Sequence, residues 1–166
     1  MLSHTDEAQQ ARWFETQFKC TLAPVKNQRC GCARDYTIVS LLEGSPLTTE
    51  DIDEAIEFKY DYKAKTTGNL YLEYIQTFNG GSSWADSGMS LAVEQSKYIV
   101  YSVRYVGCVC HFVFTSEQMK RMLARNLRSI RTRHRSNGNN AAHWTNGYLL
   151  PIKTIPGIYL KQTEHT

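Results

Sequence analysis

The chain lacks any apolar run approaching the roughly 18 residues of a membrane-spanning helix, and its start, MLSHTDEAQQ, has neither a basic lead nor an apolar signal core. Both absences point to a soluble, unsecreted, cytoplasmic protein with no membrane partner. A disulfide framework is missing too: Cys20, Cys30, Cys32, Cys108 and Cys110 are odd in number and do not follow the pattern of small secreted scaffolds. Reduced thiols are the simpler expectation. No internal repeat and no long linker divides the 166 residues, 42% of them hydrophobic, so 1–166 is expected to be a single domain with a real core.

The remaining scarcity is of acid toward the C-terminus. Residues 97–166 carry 11 Lys/Arg against 2 Asp/Glu, whereas residues 1–96 carry 8 against 14, so the formal net charge of +3 divides into +9 and −6. A cationic surface attracts polyanions and a site of several carboxylates attracts divalent metal; together they point to chemistry on a phosphate backbone.

Hydrophobic spacing predicts helices at both ends of a β-rich middle. Thr5 or Asp6 can cap a helix running to about Phe18, with Ala8, Ala11, Phe14 and Phe18 facing inward. KCTLAPV and DYTIVSLLEG read as strands separated by the loop KNQRCGCAR, and TTEDIDEA as a short helix or ordered loop. IEFKYDYKA and NLYLEYIQTF form the clearest expected hairpin, because Gly68 and Asn69 accept the positive φ of a tight turn. SLAVEQS reads as a helical piece, KYIVYSV and CVCHFVFT as two more strands. The expected fold is α/β or α+β, a central mixed sheet of about five strands flanked by helices.

Thr115 to Gln118 fits a capping box, and Met119, Met122, Leu123, Leu127 and Ile130 continue at helical spacing. That predicts a basic helix over 120–135 carrying Lys120, Arg121, Arg125, Arg128, Arg131, Arg133 and Arg135. Seven cations with no acid among them repel one another unless water or an anion screens them, and Arg forks match phosphate oxygens, so the segment is expected to grip a nucleic-acid backbone.

The acids gain meaning beside this segment. Asp35 opens the strand DYTIVSLL, and Glu57-Phe58-Lys59 lies on the strand after the next turn. Carboxylates on adjacent strands can share a hard cation such as Mg²⁺, and a lysine two residues beyond the Glu projects from the same face. A metal there would polarise a phosphoryl oxygen and lower the pKa of bound water, while the lysine orients that water or stabilises developing charge.

With these residues in order, the chain resembles the PD-(D/E)XK, restriction-endonuclease-like, nuclease superfamily, and within it archaeal-type Holliday junction resolvases and small phage-encoded nucleases. The resemblance covers most of the chain: HTDEAQQARWFETQF, CTLAPVKNQRCGCA, RDYTIV and EFK, then TTGNLYLEY, DSGMS, SKYIVYSV and GYLLPI. The proline that names the family is Arg34 here, and a frequent Ala-Asp pair reads Ser96-Lys97. The resemblance implies a restriction-endonuclease-like core and a DNA endonuclease using Mg²⁺, with Mn²⁺ substituting. It assigns the metal and catalytic places to Asp35, Glu57 and Lys59, with Glu7, or Glu15 in competition, as the helix glutamate. Resolvases of this fold work as homodimers because they cut two strands symmetrically.

Further residues stand beside this set. Asp61 shares the Glu57 face if the strand is regular, as a ligand or a partner for Lys59 or Lys63. Glu73 falls on or off that face according to whether the hairpin turn has three residues or two. Ser87 and Ser90 are candidate phosphate contacts in a Gly/Ser loop. Two other readings compete with the enzyme: a catalytically silent nuclease-fold protein that binds nucleic acid or a host protein, such as a phage counter-defence factor, and a zinc site built from Cys30, Cys32, Cys108, Cys110 and His111.

Overall fold

The computed structural model describes residues 4–26, 32–79, 81–134, 143–155 and 159–163. In chain order these form α1 (His4–Phe18), β1 (Cys20–Pro24), β2 (Tyr36–Leu41), β3 (Ala55–Tyr60), α2 (Ala64–Thr67) and β4 (Asn69–Thr77). Then follow β5 (Ala85–Asp86), α3 (Met89–Gln95), β6 (Tyr98–Tyr105), β7 (Cys108–Thr115), α4 (Ser116–Leu123), β8 (Arg128–His134), β9 (His143–Pro151) and β10 (Tyr159–Thr163). Among the described residues, no helix is long and apolar enough to cross a membrane.

The architecture is mixed α/β, with two sheets where the sequence led to one. A six-stranded mixed sheet runs β1-β2-β3-β6-β7-β10, with β3 and β6 parallel and every other neighbouring pair antiparallel. A four-stranded antiparallel sheet runs β5-β4-β9-β8. Side chains alternate across a strand, so each strand of the larger sheet feeds two cores. Ile56, Phe58 and Val100 meet Ala11, Trp13 and Phe14 of α1 on one face. Ile99, Val103, Phe112 and Phe114 meet Met89 of α3, Met119 of α4 and Leu70, Leu72 and Leu150 of the second sheet on the other. The inward side of α1 is wider than expected, since Gln10 and Trp13 are buried along with Ala11 and Phe14.

Two local expectations are overturned by long-range pairing. β3 and β4 do not form a hairpin, because β3 is flanked by β2 and the parallel β6, and β4 pairs instead with β5 and β9. The positive φ of Gly68 is real, at 68°, but it closes the one-turn helix α2, where a left-handed residue satisfies the terminal carbonyl. The basic helix is also cut short. α4 begins at the expected capping box but ends at Leu123, and Arg128–His134 is the edge strand β8. Ile130 and Thr132 are β-branched and alternate with Arg131 and Arg133, a period of two that a helix would scatter around its circumference. The helical spacing of Leu127 and Ile130 was coincidental.

Asp61 joins the two sheets. It follows the end of β3, and its Oδ1 accepts from the N–H groups of Lys63 and Ala64 at 2.9 Å each. Its Oδ2 accepts from the N–H of Tyr71 in β4, also at 2.9 Å. The carboxylate thus caps α2 and ties it to the second sheet, rather than facing a metal or a lysine. Removing it leaves three donors without their partner, so Asp61→Ala should lower unfolding free energy by about 1–3 kcal/mol in chemical denaturation. A variant as stable as wild type would show that the carboxylate does not bind the sheets together.

Candidate functional site

The site is built around the middle of β3. Glu57 and Lys59 alternate with Ile56 and Phe58, so they point away from α1, toward the second sheet. Glu57 is only 3% exposed. Lys59 Nζ donates to Glu57 Oε1 in a short ion pair, while Glu57 Oε2 is buried and has no hydrogen-bond partner among the described residues. Burial disfavours the charged carboxylate and pushes its pKa up to about 7; Lys59 pulls it down, while Asp35 and Glu7 add to the rise. Burial also works against the charge on Lys59, but Glu57, with further help from Asp35 and Glu73, outweighs it and holds the ammonium above the ordinary lysine range.

Asp35 brackets Glu57 along the backbone. Its own N–H donates to Ile56 O at 2.9 Å, and its Oδ2 accepts from Phe58 N–H at 2.6 Å. The approach to Asp35 is pinned as well: Gln95 Oε1 accepts from Ala33 N–H at 2.9 Å, and Ser96 Oγ donates to Ala33 O at 2.6 Å. From the other side of the sheet, Gln10 Nε2 donates to Lys59 O at 2.9 Å and to Ser102 Oγ at 2.5 Å, and Ser102 Oγ in turn lies 2.7 Å from His111 Nδ1. Gln10 was not anticipated from sequence, although a polar residue one helical turn before Phe14, on the inward side, was the available signal.

The helix glutamates separate in role. Glu7 acts electrostatically on Glu57, whereas Glu15 accepts from Leu22 N–H at 2.8 Å and so holds the edge of β1. Glu73 reaches the site from the second sheet, so neither hairpin register applies; it raises the Lys59 pKa through charge and accepts from Ser87 Oγ. Ser90 Oγ donates to Tyr74 O at 2.6 Å and also lies 2.9 Å from Ser87 O, so the two serine hydroxyls tie the start of α3 and the turn before it to β4.

The basic residues do not form one stripe. Lys120 is paired with Glu94 at 3.4 Å and Glu117 at 3.7 Å, and Arg125 reaches Thr154 O at 3.4 Å. Arg121 and Arg128 are exposed. Arg131 lies 5.2 Å over Trp84 and Arg133 lies 5.6 Å over Trp144, two exposed cation–aromatic stacks on one face of β8. Arg135 lies outside the described residues, as does Cys30. Cys110 and His111 project from opposite faces of β7: Cys110 enters the core against α3 and α4, while His111 stacks on Trp13 at 3.9 Å. They cannot share one zinc.

Among the described residues, no three His, Cys, Asp or Glu side chains gather as a metal-holding group. The fit to a hard cation rests on the donors themselves. Glu57 Oε2 is a buried oxygen that no described residue answers, and Asp35 and Glu7 are close enough for their charge to act on Glu57. Oxygen donors of this kind suit Mg²⁺. In class, then, the chain is a mixed α/β fold with a buried carboxylate paired to a half-buried lysine on its central strand. No protein-family model matches it, and neither the curated proteins nor the solved structures yield a match.

The raised pKa of Glu57 has a defined sign in stability. The fold favours the protonated carboxyl, so this contribution is fully present below about pH 4.5 and is lost as pH rises through about 7. Glu57→Gln does not titrate there. Its stability relative to wild type should therefore increase by about 3 kcal/mol between pH 4.5 and 7.5. Thermal or denaturant melts of both proteins across that range check it; a constant difference would mean that Glu57 titrates normally.

Proposed function

We propose that the chain is a metal-dependent phosphodiesterase acting on nucleic acid. In particular, we infer a Mg²⁺-dependent DNA endonuclease whose larger sheet, with α1, is a restriction-endonuclease-like core. The observation that carries this is Glu57 Oε2, a buried carboxylate oxygen beside Lys59 and Asp35 that has no hydrogen-bond partner among the described residues. Burying an anionic oxygen without a partner is costly unless a proton or a cation answers it.

On this proposal Glu57 and Asp35 would hold Mg²⁺, with Glu7 contributing directly or through water. A cation bound there supplies polarisation of the phosphoryl oxygen and a bound water of lowered pKa. Lys59, kept cationic by Glu57, Asp35 and Glu73, stabilises negative charge developing on the phosphate and orients the attacking water. Gln10 holds the Lys59 carbonyl, which keeps that side chain directed from a fixed point on β3. Arg131 and Arg133, both exposed on β8, supply cationic contacts for the DNA backbone.

Cleavage of labelled linear, branched and single-stranded DNA should require Mg²⁺ or Mn²⁺ and stop in EDTA. Glu57→Gln and Lys59→Ala should each lower kcat at least about 100-fold with the fold retained by circular dichroism. Activity indifferent to EDTA, or to both substitutions, would sink the enzyme; DNA binding with no cleavage under any condition would identify a silent binding protein instead. Separately, Arg131→Ala/Arg133→Ala should reduce the slope of log affinity against log salt by about 1.4 on single strands and 1.8 on duplex. An unchanged slope would remove β8 from the interface.

A further inference from the structure

Successive residues of β8 face two different surroundings. Ile130 and Thr132 line a cavity of about 370 Å³ whose wall also includes Lys59 and Glu73, so Arg131 and Arg133 project from the opposite face of the second sheet. Across the strand pair, Arg131 meets Asn146 of β9 and Arg133 meets Trp144. The same face of β9 continues through the partly buried Tyr148 to Leu150, which is fully buried in the core with Met89 of α3 and Met119 of α4. Arg131, Arg133 and Trp144 therefore stand where the core face of the sheet emerges at the surface.

Flat rings and free cations alternate along this face. Trp84, just before β5, reaches across to Arg131, and Trp144 carries Arg133; both rings are half-buried and both arginines exposed. Next to them, Tyr74 and Tyr148 stack with ring centres 4.6 Å apart, and the Tyr74 hydroxyl lies 3.4 Å from Ser129 Oγ. Arg131 Nε donates to Asn146 Oδ1 at 3.2 Å, and among the described residues no carboxylate pairs with either arginine. Of the two acids in this sheet, Glu73 faces the cavity and Asp86 lies on β5, at the edge away from β8. On the helices beside the face, Glu94 and Glu117 share Lys120, and Arg121 is exposed. The arginines thus keep their charge for a ligand.

Two guanidinium groups about 6.5 Å apart along an edge strand suit successive phosphates of an extended polynucleotide, and the rings beside them suit its bases. We propose that this face binds single-stranded nucleic acid, with Arg131 and Arg133 turned to phosphates and bases stacked on Trp84 and Trp144 in their place. A base gains more from an aromatic ring than an exposed guanidinium does, so the exchange favours the complex. Bases within a duplex are covered on both faces by their neighbours and leave the rings unused, so the single strand is preferred. Because the arginines and the cavity wall at Lys59 lie on opposite faces of the second sheet, strand binding here is separable from cleavage. The inference rests on the β8 contact proposed above and names its ligand; it does not rest on the nuclease chemistry.

Fluorescence anisotropy in EDTA, with a labelled oligothymidylate of about 12 nucleotides and an abasic strand of the same length, separates stacking from charge. Oligothymidylate should bind at least about tenfold more tightly than the abasic strand, and more tightly than a duplex of equal length. Trp84→Ala and Trp144→Ala should each weaken oligothymidylate about tenfold while leaving the abasic strand within about twofold; Arg131→Ala/Arg133→Ala should weaken both. Oligothymidylate should also quench the tryptophan fluorescence of the wild-type protein, in which Trp13 is buried in the core. Equal affinity for the two strands would overturn the proposal, as would wild-type binding by both tryptophan variants. Polyglutamate competing as well as oligothymidylate would overturn it in favour of an acidic protein partner. If the alanine variants do not fold, the strand comparison and the quenching decide the matter. The two proposals fail separately: preference for oligothymidylate in a protein that never cleaves DNA retains this face and rejects the nuclease, whereas Mg²⁺-dependent cleavage without that preference does the reverse.

Discussion

A carboxylate buried on the central strand is the constraint around which the rest of the molecule is arranged. β3 lies third in a sheet of six, and Glu57 on it faces the protein interior. Charge in such a place is disfavoured, and the described residues answer it only in part: Lys59 takes one oxygen and leaves the other. Everything that touches β3 nearby holds its backbone still. Asp35 grips it on both sides of Glu57, Gln10 takes the carbonyl of Lys59, and β6 pairs along Ile56–Tyr60. A one-residue slip would turn Glu57 toward the aromatic core under α1, so register and charge placement are the same requirement.

The second constraint is the departure of the chain from the larger sheet after Tyr60. Asp61 uses both carboxylate oxygens to cap α2 and to hold the start of β4 in the other sheet. That separation opens a cavity whose wall includes Lys59 and Glu73, and there Glu73 acts on Lys59. The approach of Glu73 to Lys59 and the cavity beside it are therefore consequences of one topological choice.

Elements with strong local signals were legible in the sequence. The α1 stripe through Ala11 and Phe14, the Thr115–Gln118 capping box and the apolar runs of β6 and β7 each depend on neighbours a few residues away. Local signals also misled where two structures share them. Gly68 at positive φ serves a hairpin turn and a helix end equally well, and Leu127 with Ile130 satisfies helical spacing although strand alternation governs Arg128–His134. In both cases the deciding partner was remote: β6 for β3, and β9 for β8.

The sequence by itself determined that Glu57 and Lys59 share a face, that acidic and basic residues are separated along the chain, and that Asp35 stands immediately before a strand, because these follow from periodicity and composition. Only the tertiary structure decided that Glu57 is half-answered, that Glu7 rather than Glu15 acts on it, that Glu73 arrives from a second sheet and that Asp61 is spent on backbone donors. The physical reason is distance along the chain. Alternation within a strand is encoded in successive residues, whereas burial and charge coupling depend on which strands, tens of residues apart, win the competition for each edge.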